Sequence, residues 1–533
     1  MKCAFFCELG SFPTLGVEYL ITVLRGAGHN VKIVFDRKFY KAWQPFNPTS
    51  NFDDQLVSDI INTDCEVLFA YSTTLNFKRL VHIFDLVKEK APGIIVAIGG
   101  PHPTYAHEQT ISKKCIDYLC RGEGEIAILQ IIDLIEGRRL DLPPGIFRKK
   151  GEVIEGKGFG ALVGNLDDLP YPDKSDFFEH VPHTRDVYTV ATGRGCYNSC
   201  TFCNSSTMRM HYRDEGFHFM RRRSVEDVIN EISLTKAIYR PRMVWFVDDV
   251  FIYNRKYMLD FARQYKEHVG IPFGCSTIPN FFHEEVIDAL FEAGLCNVEV
   301  GVQTLNPETR LSVFGRKESN DDFTTFVSML RKRGVYVNTD HIINPWDSRE
   351  NLKQQILAYS EARPSFINVF HLQYFPDTKV IERAVRDGHL AAEAVDAIGE
   401  GSTDTYFVGG SIKDVMRSLH DLIVFMSFVP FLPSWLTKLV IGSPLLVLFK
   451  IMPSGVILPL RALSALFNKA DAAGRAHIKI FLQTLLRIKH APKEKIVGKL
   501  KKLAAWKPFR PIQPAAPKKK MFKNNKSERM PFF

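Results

Sequence analysis

Twice along this chain, short apolar runs rich in β-branched and aromatic residues alternate with segments whose apolar residues recur at helical spacing. No other feature restricts the fold as much, because strand–helix–strand order leaves a parallel sheet covered by helices as the stable arrangement. The first series fills residues 1–140. MKCAFFCE, VKIVFD, CEVLFAYS and IIVAIGG read as strands, and CIDYLCRGEGE reads as a shorter strand and turn. GVEYLITVLRGAGH, which stops at Gly28, and FKRLVHIFDLVKEKAP read as helices, with IAILQIIDLIEG closing the series. The prediction is a doubly wound, Rossmann-like parallel sheet. Such sheets bind ligands at the carboxyl ends of their strands. Here those ends carry Ser72, Thr73, Thr74 and Leu75, then Gly99, Gly100, Pro101 and His102, then Gly122, Glu123, Gly124 and Glu125. Glycines after strands are equally compatible with plain turns.

Residues 141–180 read as a linker, with NLDDLPYPDKSDF at its Asp/Pro-rich heart. A second alternating series follows over 181–385. Its strands are VYTVAT, MVWFVDD, PFGCST, NVEVGVQ, YVNTDHII and FINVFHL. Amphipathic helices fall between them; SVEDVINEI opens with Ser224 and Asp227, a helix N-terminus signature. Six βα units suit a partial (β/α)6 barrel of TIM type rather than a closed eight-stranded one. Residues 386–505 read as a helical, apolar C-terminal region. Within it, 419–467 is rich in Leu, Val, Phe and Pro, but its longest uncharged piece, Leu422 to Thr437, holds two prolines. That piece falls short of the roughly 20 residues needed to cross a bilayer. Helices buried on the barrel or lying at an interface fit better.

Hydrophobic residues at 45% and charged residues at 24% are globular values, so most of the chain should fold. Charge is unevenly spread: from residue 471 onward there are 17 Lys+Arg and 3 Asp+Glu, which leaves −4 of the net +10 for everything before. Residues 506–533 are Pro- and Lys-rich without periodicity and read as a disordered basic tail. Such a tail suits anionic lipid or simply confers solubility; nothing in it predicts a specific nucleic-acid partner. Ten cysteines in 533 residues are no disulfide framework. The start, MKCAFFCELG, lacks a signal-peptide core. A reducing cytoplasmic location follows as the expectation, with the C-terminal end suited to a membrane surface.

Residues 193–204, GRGCYNSCTFCN, set Cys196, Cys200 and Cys203 in one loop after the first strand of the second series. A structural zinc site wants four closed ligands, usually from two separated pairs, and there is no second CxxC. A disulfide is disfavoured in a reducing compartment, and a redox CxxC leaves Cys196 surplus. Three thiolates from one loop suit a [4Fe-4S] cluster whose fourth iron stays open to a small chelating ligand. The remaining cysteines, such as Cys3, Cys7 and Cys275, read as small buried hydrophobes.

Cys196-x-x-x-Cys200-x-x-Cys203, with Phe202 before the last cysteine, resembles the cluster loop of the radical S-adenosylmethionine superfamily. RRRSVEDVINEI, VWFVDDVF, EAGLCNVEVGVQTLNPET and LQYFPDTKV follow in the order of that family. The first 140 residues resemble the cobalamin-binding domain that precedes the barrel in one large branch, on GVEYLITVLRGAGHNV, IVAIGGPHPTYAHE, DYLCRGEGE and LDDLPYPD. The resemblance implies a cluster on Cys196, Cys200 and Cys203, with S-adenosylmethionine on its open iron beside Phe202. It sets Asp248 and Asp249 at the methionine amino group, where an ammonium needs an acceptor, and Gln303 at the ribose. Arg221 and Arg223 either meet the methionine carboxylate or cap the barrel edge. Ser72, Thr73, Leu75, Gly99, Gly100 and Gly122 would hold cobalamin. An electron donor such as flavodoxin or ferredoxin is implied as a partner.

Two departures stand out. The first strand's loop, CELGSFPTLG, lacks the Asp-x-His-x-x-Gly motif that supplies a cobalt ligand elsewhere, and His102 reads as a solvated turn residue. After the fifth barrel strand, Asn344 and Trp346 stand where this branch has glycines. The expected activity is radical methylation of an unactivated carbon, which consumes one S-adenosylmethionine for the methyl group and a second for the 5′-deoxyadenosyl radical. Segment 419–467 points to an apolar, lipid-, isoprenoid- or tetrapyrrole-like substrate or a secondary metabolite. An oxidative, ring-forming reaction like that of the anaerobic chlorophyll-pathway cyclase is the alternative enzyme, and a non-catalytic cluster- and cobalamin-binding protein the alternative of another class. Tyr212, Tyr253, Tyr336 and Tyr374 lie near strand ends, where structural roles are expected, and no catalytic acid or base is assigned.

Overall fold

The computed structural model describes residues 1–8, 15–36, 52–180, 182–280, 283–402, 411–452 and 512–516. Seven strands form the first sheet: β1 (Lys2–Glu8), β2 (Asn30–Asp36), β3 (Val67–Tyr71), β4 (Ile95–Gly99), β5 (Tyr118–Cys120), β6 (Ile146–Lys150) and β7 (Val153–Glu155). Their order is β2-β1-β3-β4-β5-β6-β7, and the first five are parallel. β1 is buried from Cys3 to Cys7 without alternation, as expected of a strand covered by helices on both faces. One covering layer includes the helices Leu15–Gly26 and Gly124–Ile135, the other Phe52–Ile61 and Phe77–Lys90. Strand order reverses between β1 and β3, which opens a crevice at their carboxyl ends.

The sheet runs past residue 140. β6 and β7 form an antiparallel pair inside the stretch read as linker, and β6 pairs with β5. The sequence IFRKK-GE-VIE carries that hairpin; Gly151, at φ +61°, makes the turn. The rest of the linker is fastened rather than slack. Lys174, wholly buried, donates to Glu18 at 2.5 Å and to Thr189 at 2.9 Å, tying the first sheet's helix to the second sheet. Arg25 donates to Asp176 at 2.7 Å and Asp173 at 3.2 Å.

The second sheet contains β8 (Val187–Val190), β11 (Met243–Phe246), β12 (Phe273–Thr277), β13 (Leu295–Gln303), β14 (Tyr336–Ile343) and β15 (Phe366–His371). All six run parallel in sequence order, the open six-stranded barrel the sequence predicts. A two-stranded ribbon, β9 (Gly193–Arg194) with β10 (Arg221–Arg222), stands beside it. Along β13, Val298, Val300 and Val302 pack into the helical core while Glu299, Gly301 and Gln303 turn to the lumen. Leu419, Leu422, Ile423 and Phe425, from the helix Ser411–Met426, join that same core on the outside of the barrel.

Among the described residues no helix is long and apolar enough to cross a membrane. Residues 453–511 and 517–533, which include most of the expected basic tail, lie outside the described residues. Within that tail, 512–516 is ordered against the linker. Pro514 bridges Val163, Gly164 donates to the Gln513 carbonyl at 2.8 Å, and Ala515 donates to the Leu162 carbonyl at 2.7 Å.

Candidate active site

The three-cysteine loop follows β9 and ends at Cys203, which precedes the helix Asn204–Asp214. Its backbone is held from several sides. Thr201 donates from its amide to Phe314 O at 3.2 Å and from its hydroxyl to Val313 O at 2.6 Å, and Val380 donates to Thr201 O at 3.0 Å. Ser206 donates to the carbonyls of Cys200, at 2.5 Å, and Cys203, at 2.9 Å. Phe202 stacks edge-on against Phe314 with centroids 4.9 Å apart, so its ring belongs to the wall behind the loop. Arg209 donates to Cys196 O at 3.0 Å and Ser199 Oγ at 2.8 Å.

The thiols are free of disulfides and close enough to influence one another's charge. Burial pushes Cys196 up to about 11 and Cys200 up to about 12, and raises Cys203. Such thiols keep their protons until a metal displaces them. Among the described residues no three thiol, imidazole or carboxylate groups converge on a single ion. A four-iron cube does not ask for that, since each thiolate binds its own iron. Three sulfurs on one braced loop, none spent on a disulfide, fit the cluster.

Asp248 and Asp249 end up in different places. Asp248 is buried and accepts from Thr192 N at 3.0 Å and Thr192 Oγ1 at 2.7 Å, with Arg222 at 3.9 Å. Burial, only partly offset by Arg222 and Thr192, raises its pKa. Asp249 is exposed, takes a hydrogen bond from Ser205 at 2.6 Å, and lies within electrostatic reach of Cys196 and Cys203. Of the pair, Asp249 is the carboxylate open to a ligand at the thiol loop. Gln303, at the end of β13, has a left-handed backbone at φ +64° where the register with β14 slips. That is a costly conformation for a side-chain-bearing residue and is common at functional sites.

Arg221 and Arg223 meet neither aspartate. Arg221 pairs with Glu123 and donates to Val163 O at 2.6 Å. Arg223 pairs with Asp227 at 2.6 Å and Glu231 at 2.5 Å on the helix Val225–Tyr239. Arg221 thus ties β10 to the first domain and the linker, and Arg223 ties β10's end to the following helix. Arg222, between them, lies over the rings of Tyr253 and Tyr257, at 4.4 and 4.3 Å. Asn344 caps its own loop through Asp347 at 2.8 Å, and Trp346 donates to Asp387 at 2.8 Å, so the residues standing in for glycines fix that loop outward toward the helix Lys379–Arg386.

The first sheet's crevice holds a cavity of about 290 Å³ walled by Phe5, Leu15, Tyr19, Phe69, Ile128 and Ile131. Gly99, Gly100 and Gly122 line it, whereas Ser72, Thr73 and Leu75 do not. Ser72 instead braces the rim, its amide donating to Gly99 O at 2.8 Å, and Leu75 is exposed. Gly100, at φ +110°, comes so close to Ser72 that a Cβ would meet its carbonyl at 2.7 Å. His102 is fully buried, not solvated: it sits 3.2 Å from Thr74 Oγ1 and 4.1 Å from the Phe77 ring, and burial lowers its pKa to about 4. An apolar, glycine-floored slot at a switch point fits the flat edge of a large cofactor such as cobalamin.

Barrel residues Ala191 and Arg194 line the same cavity. Arg194 donates to Glu125 at 2.5 Å and pairs with Glu123 at 3.1 Å, while Arg221 pairs with Glu123 from β10. Sequence reading missed this clasp, although both halves, RGEGE and GRGC, were legible as motifs. Tyr212 is structural: its hydroxyl donates to Gly160 O at 2.9 Å under Gly122. Tyr336 and Tyr374 are buried, and Tyr253 lies 6.0 Å from Tyr197.

A switch-point crevice sharing its cavity with a partial barrel that carries a three-thiol loop defines a class of two-cofactor α/β enzymes. Residues 2–132 match the B12 binding domain and residues 190–347 match the Radical SAM superfamily. The chain belongs to that superfamily, in the branch with an N-terminal cobalamin-binding domain, and is a radical S-adenosylmethionine enzyme. It is 27% identical over 388 residues to an uncharacterized methyltransferase of Pyrococcus horikoshii, covering 71% of this chain and 80% of that one. It is 24% identical over 432 residues to cytidylyl-2-hydroxyethylphosphonate methyltransferase of Streptomyces wedmorensis, covering 71% and 79%. The solved structure of the cobalamin-dependent S-adenosylmethionine radical enzyme OxsB with aqua-cobalamin bound shares the fold, with a TM-score of 0.63 and 14% identity over 95% of this chain and 84% of that one.

Proposed function

We propose that this enzyme transfers a methyl group to an unactivated carbon of a small-molecule substrate. The observation that carries the reading is the shared cavity: Arg194, two residues before Cys196, lines the same slot as Gly99 and Gly122. A methyl carrier in that slot would lie beside the radical-generating loop. When bound, the cluster supplies the electron that cleaves S-adenosylmethionine, and cobalamin carries the methyl group. Cys196, Cys200 and Cys203 would hold the cluster, Asp249 would accept hydrogen bonds from the methionine ammonium, and Gln303 would meet the ribose. Gly99, Gly100 and Gly122 would floor the cobalamin slot. The electron donor would be a small redox protein such as flavodoxin or ferredoxin.

The lumen bears on the substrate. Ser276 donates to Glu299 at 3.4 Å, Asn368 donates to Asp340 at 2.9 Å, and all four side chains follow the lumen-facing register set by Glu299. Phe370, on the same face of β15, is half exposed. This supports a substrate that offers hydroxyl or amino hydrogens to the acids and an apolar part to Phe370. Of the apolar segment 419–467, the described residues 419–452 pack on the outside of the barrel, and residues 453–467 lie outside the described residues.

The test is anaerobic. The reconstituted enzyme, reductant and S-adenosylmethionine are combined with and without cobalamin, and 5′-deoxyadenosine and S-adenosylhomocysteine are quantified. Methyl transfer predicts both products with cobalamin. A ring-forming cyclase predicts 5′-deoxyadenosine alone. A non-catalytic binder predicts neither, with the cluster shown to be present.

A further inference from the structure

The described chain exposes fifteen large hydrophobic side chains, and six of them fall between residues 435 and 451: Trp435, Leu439, Leu445, Val447, Leu448 and Ile451, from 47% to 83% exposed. Single exposed apolar residues are ordinary; such a concentration on one surface marks an interaction site. Trp435 and Leu439 stand one turn apart on the helix Ser434–Ile441. Leu445, Val447 and Leu448 project from the following 3₁₀ turns, Pro444–Lys450. These elements are not loose. Val440 and Leu446 are buried in the barrel core, and Phe449 packs edge-on against Phe425, with centroids 4.9 Å apart. The outward residues are therefore held on a rigid footing.

Charge decides what covers them. Between Asp421 and Asp471 the chain carries Lys438, Lys450, Arg461 and Lys469 and no acid. Lys438 and Lys450 are interleaved with the exposed apolar residues, and the chain from residue 471 onward adds 17 Lys+Arg against 3 Asp+Glu. The acid that faces the patch from the packed neighbour, Glu361, lies 3.4 Å from Lys438, and both side chains are more than half exposed. Such a pair is worth little and is readily exchanged for other anions. A tryptophan and branched aliphatics interleaved with lysines match the interface of an anionic bilayer, where the apolar tips enter the headgroup boundary and the ammonium groups meet phosphate.

We propose that the surface of residues 435–451 docks this enzyme on anionic lipid, resting on the membrane without crossing it. The full chain is sedimented with phosphatidylcholine vesicles and with vesicles containing ~30% phosphatidylserine, at ~0.15 M salt where steering by distant charge is screened. The parent should co-sediment with the anionic vesicles and much less with the neutral ones. Trp435→Glu with Leu448→Glu should cut the bound fraction at least tenfold while iron and cobalamin content stay unchanged. Both positions are exposed, so folding should survive; a second variant, Lys438→Glu with Lys450→Glu, changes only the charges and should shift binding to lower salt. Binding by the Trp435→Glu, Leu448→Glu double variant equal to the parent would overturn the proposal. So would a parent that ignores both vesicle types, or one whose patch instead buries itself in a dimer, seen as a halving of mass in solution on the same double substitution.

Discussion

Adjacent aspartates at the end of β11 divide two tasks between them. Asp248 closes the strand end on Thr192 and Arg222, and Asp249 faces the thiol loop. Replacing Asp248 by Ala leaves a buried amide, a hydroxyl and a guanidinium short of partners and should cost about 2–4 kcal/mol, seen as a lower melting temperature of the apo-protein. Asp249→Asn should melt like the parent but lose one charge-assisted contact, weakening S-adenosylmethionine binding roughly tenfold or more in anaerobic equilibrium dialysis. Equal losses of binding in Asp249→Asn and in an unrelated surface variant would remove Asp249 from the site. Cys200→Ala should drop bound iron and abolish 5′-deoxyadenosine formation; retained iron at the parent level would point to a different ligand set. The DD pair was visible in the sequence, but its division was not. Which of two neighbours turns inward depends on the partner Thr192, 56 residues away in the chain.

Among the elements, the strands were legible and the hairpin was not. Parallel strands covered by helices leave short apolar, β-branched runs, and β1 to β5, β8 and β11 to β15 leave such runs in plain view, whereas the two-residue polar ribbon of β9 and β10 leaves none. β6 and β7 are short, polar and at a sheet edge, so their only signal is two small runs around Gly151. The glycine turns after the strands give a sharper test of packing. A Cβ on Gly122 would fall 2.2 Å from the Tyr212 hydroxyl, and the residue sits at φ +109°. Gly122→Ala should therefore destabilise by roughly 2–3 kcal/mol through strain and overlap. Adding Tyr212→Phe should restore part of the loss, about 1 kcal/mol, because it removes the clashing oxygen. Thermal melts of the two single variants and the double variant measure that coupling; strict additivity would mean the contact is not the cause.

For the molecule as a whole, the clasp of Glu123 and Glu125 with Arg194 and Arg221 joins the two domains at the cavity wall. Burial alone would raise Glu123, but Arg194 and Arg221 outweigh it and hold its carboxyl at about 2, from an ordinary 4.5. A depressed folded-state pKa adds stability that is complete above about 4.5 and fades as the pH falls toward 2. Melting temperature should thus fall through that acid window, and Glu123→Gln should be less stable at neutral pH and flatter in acid. An unchanged acid slope in that variant would assign the window to other carboxylates. Sequence reading placed RGEGE and GRGC in separate domains and had no means of joining them. Their meeting depends on how the two domains dock, which the buried Lys174–Glu18 pair helps to fix.

The segment of the tail at 512–516 gives that seam a history. Val163 and Pro514 pair across about 350 residues of intervening chain. On the ribosome both domains are made long before the segment that buttons the linker between them. The clasp at the cavity wall lies wholly within residues 123–221, so every group that closes it is already made when the tail arrives, and 512–516 can only reinforce a seam whose parts are complete.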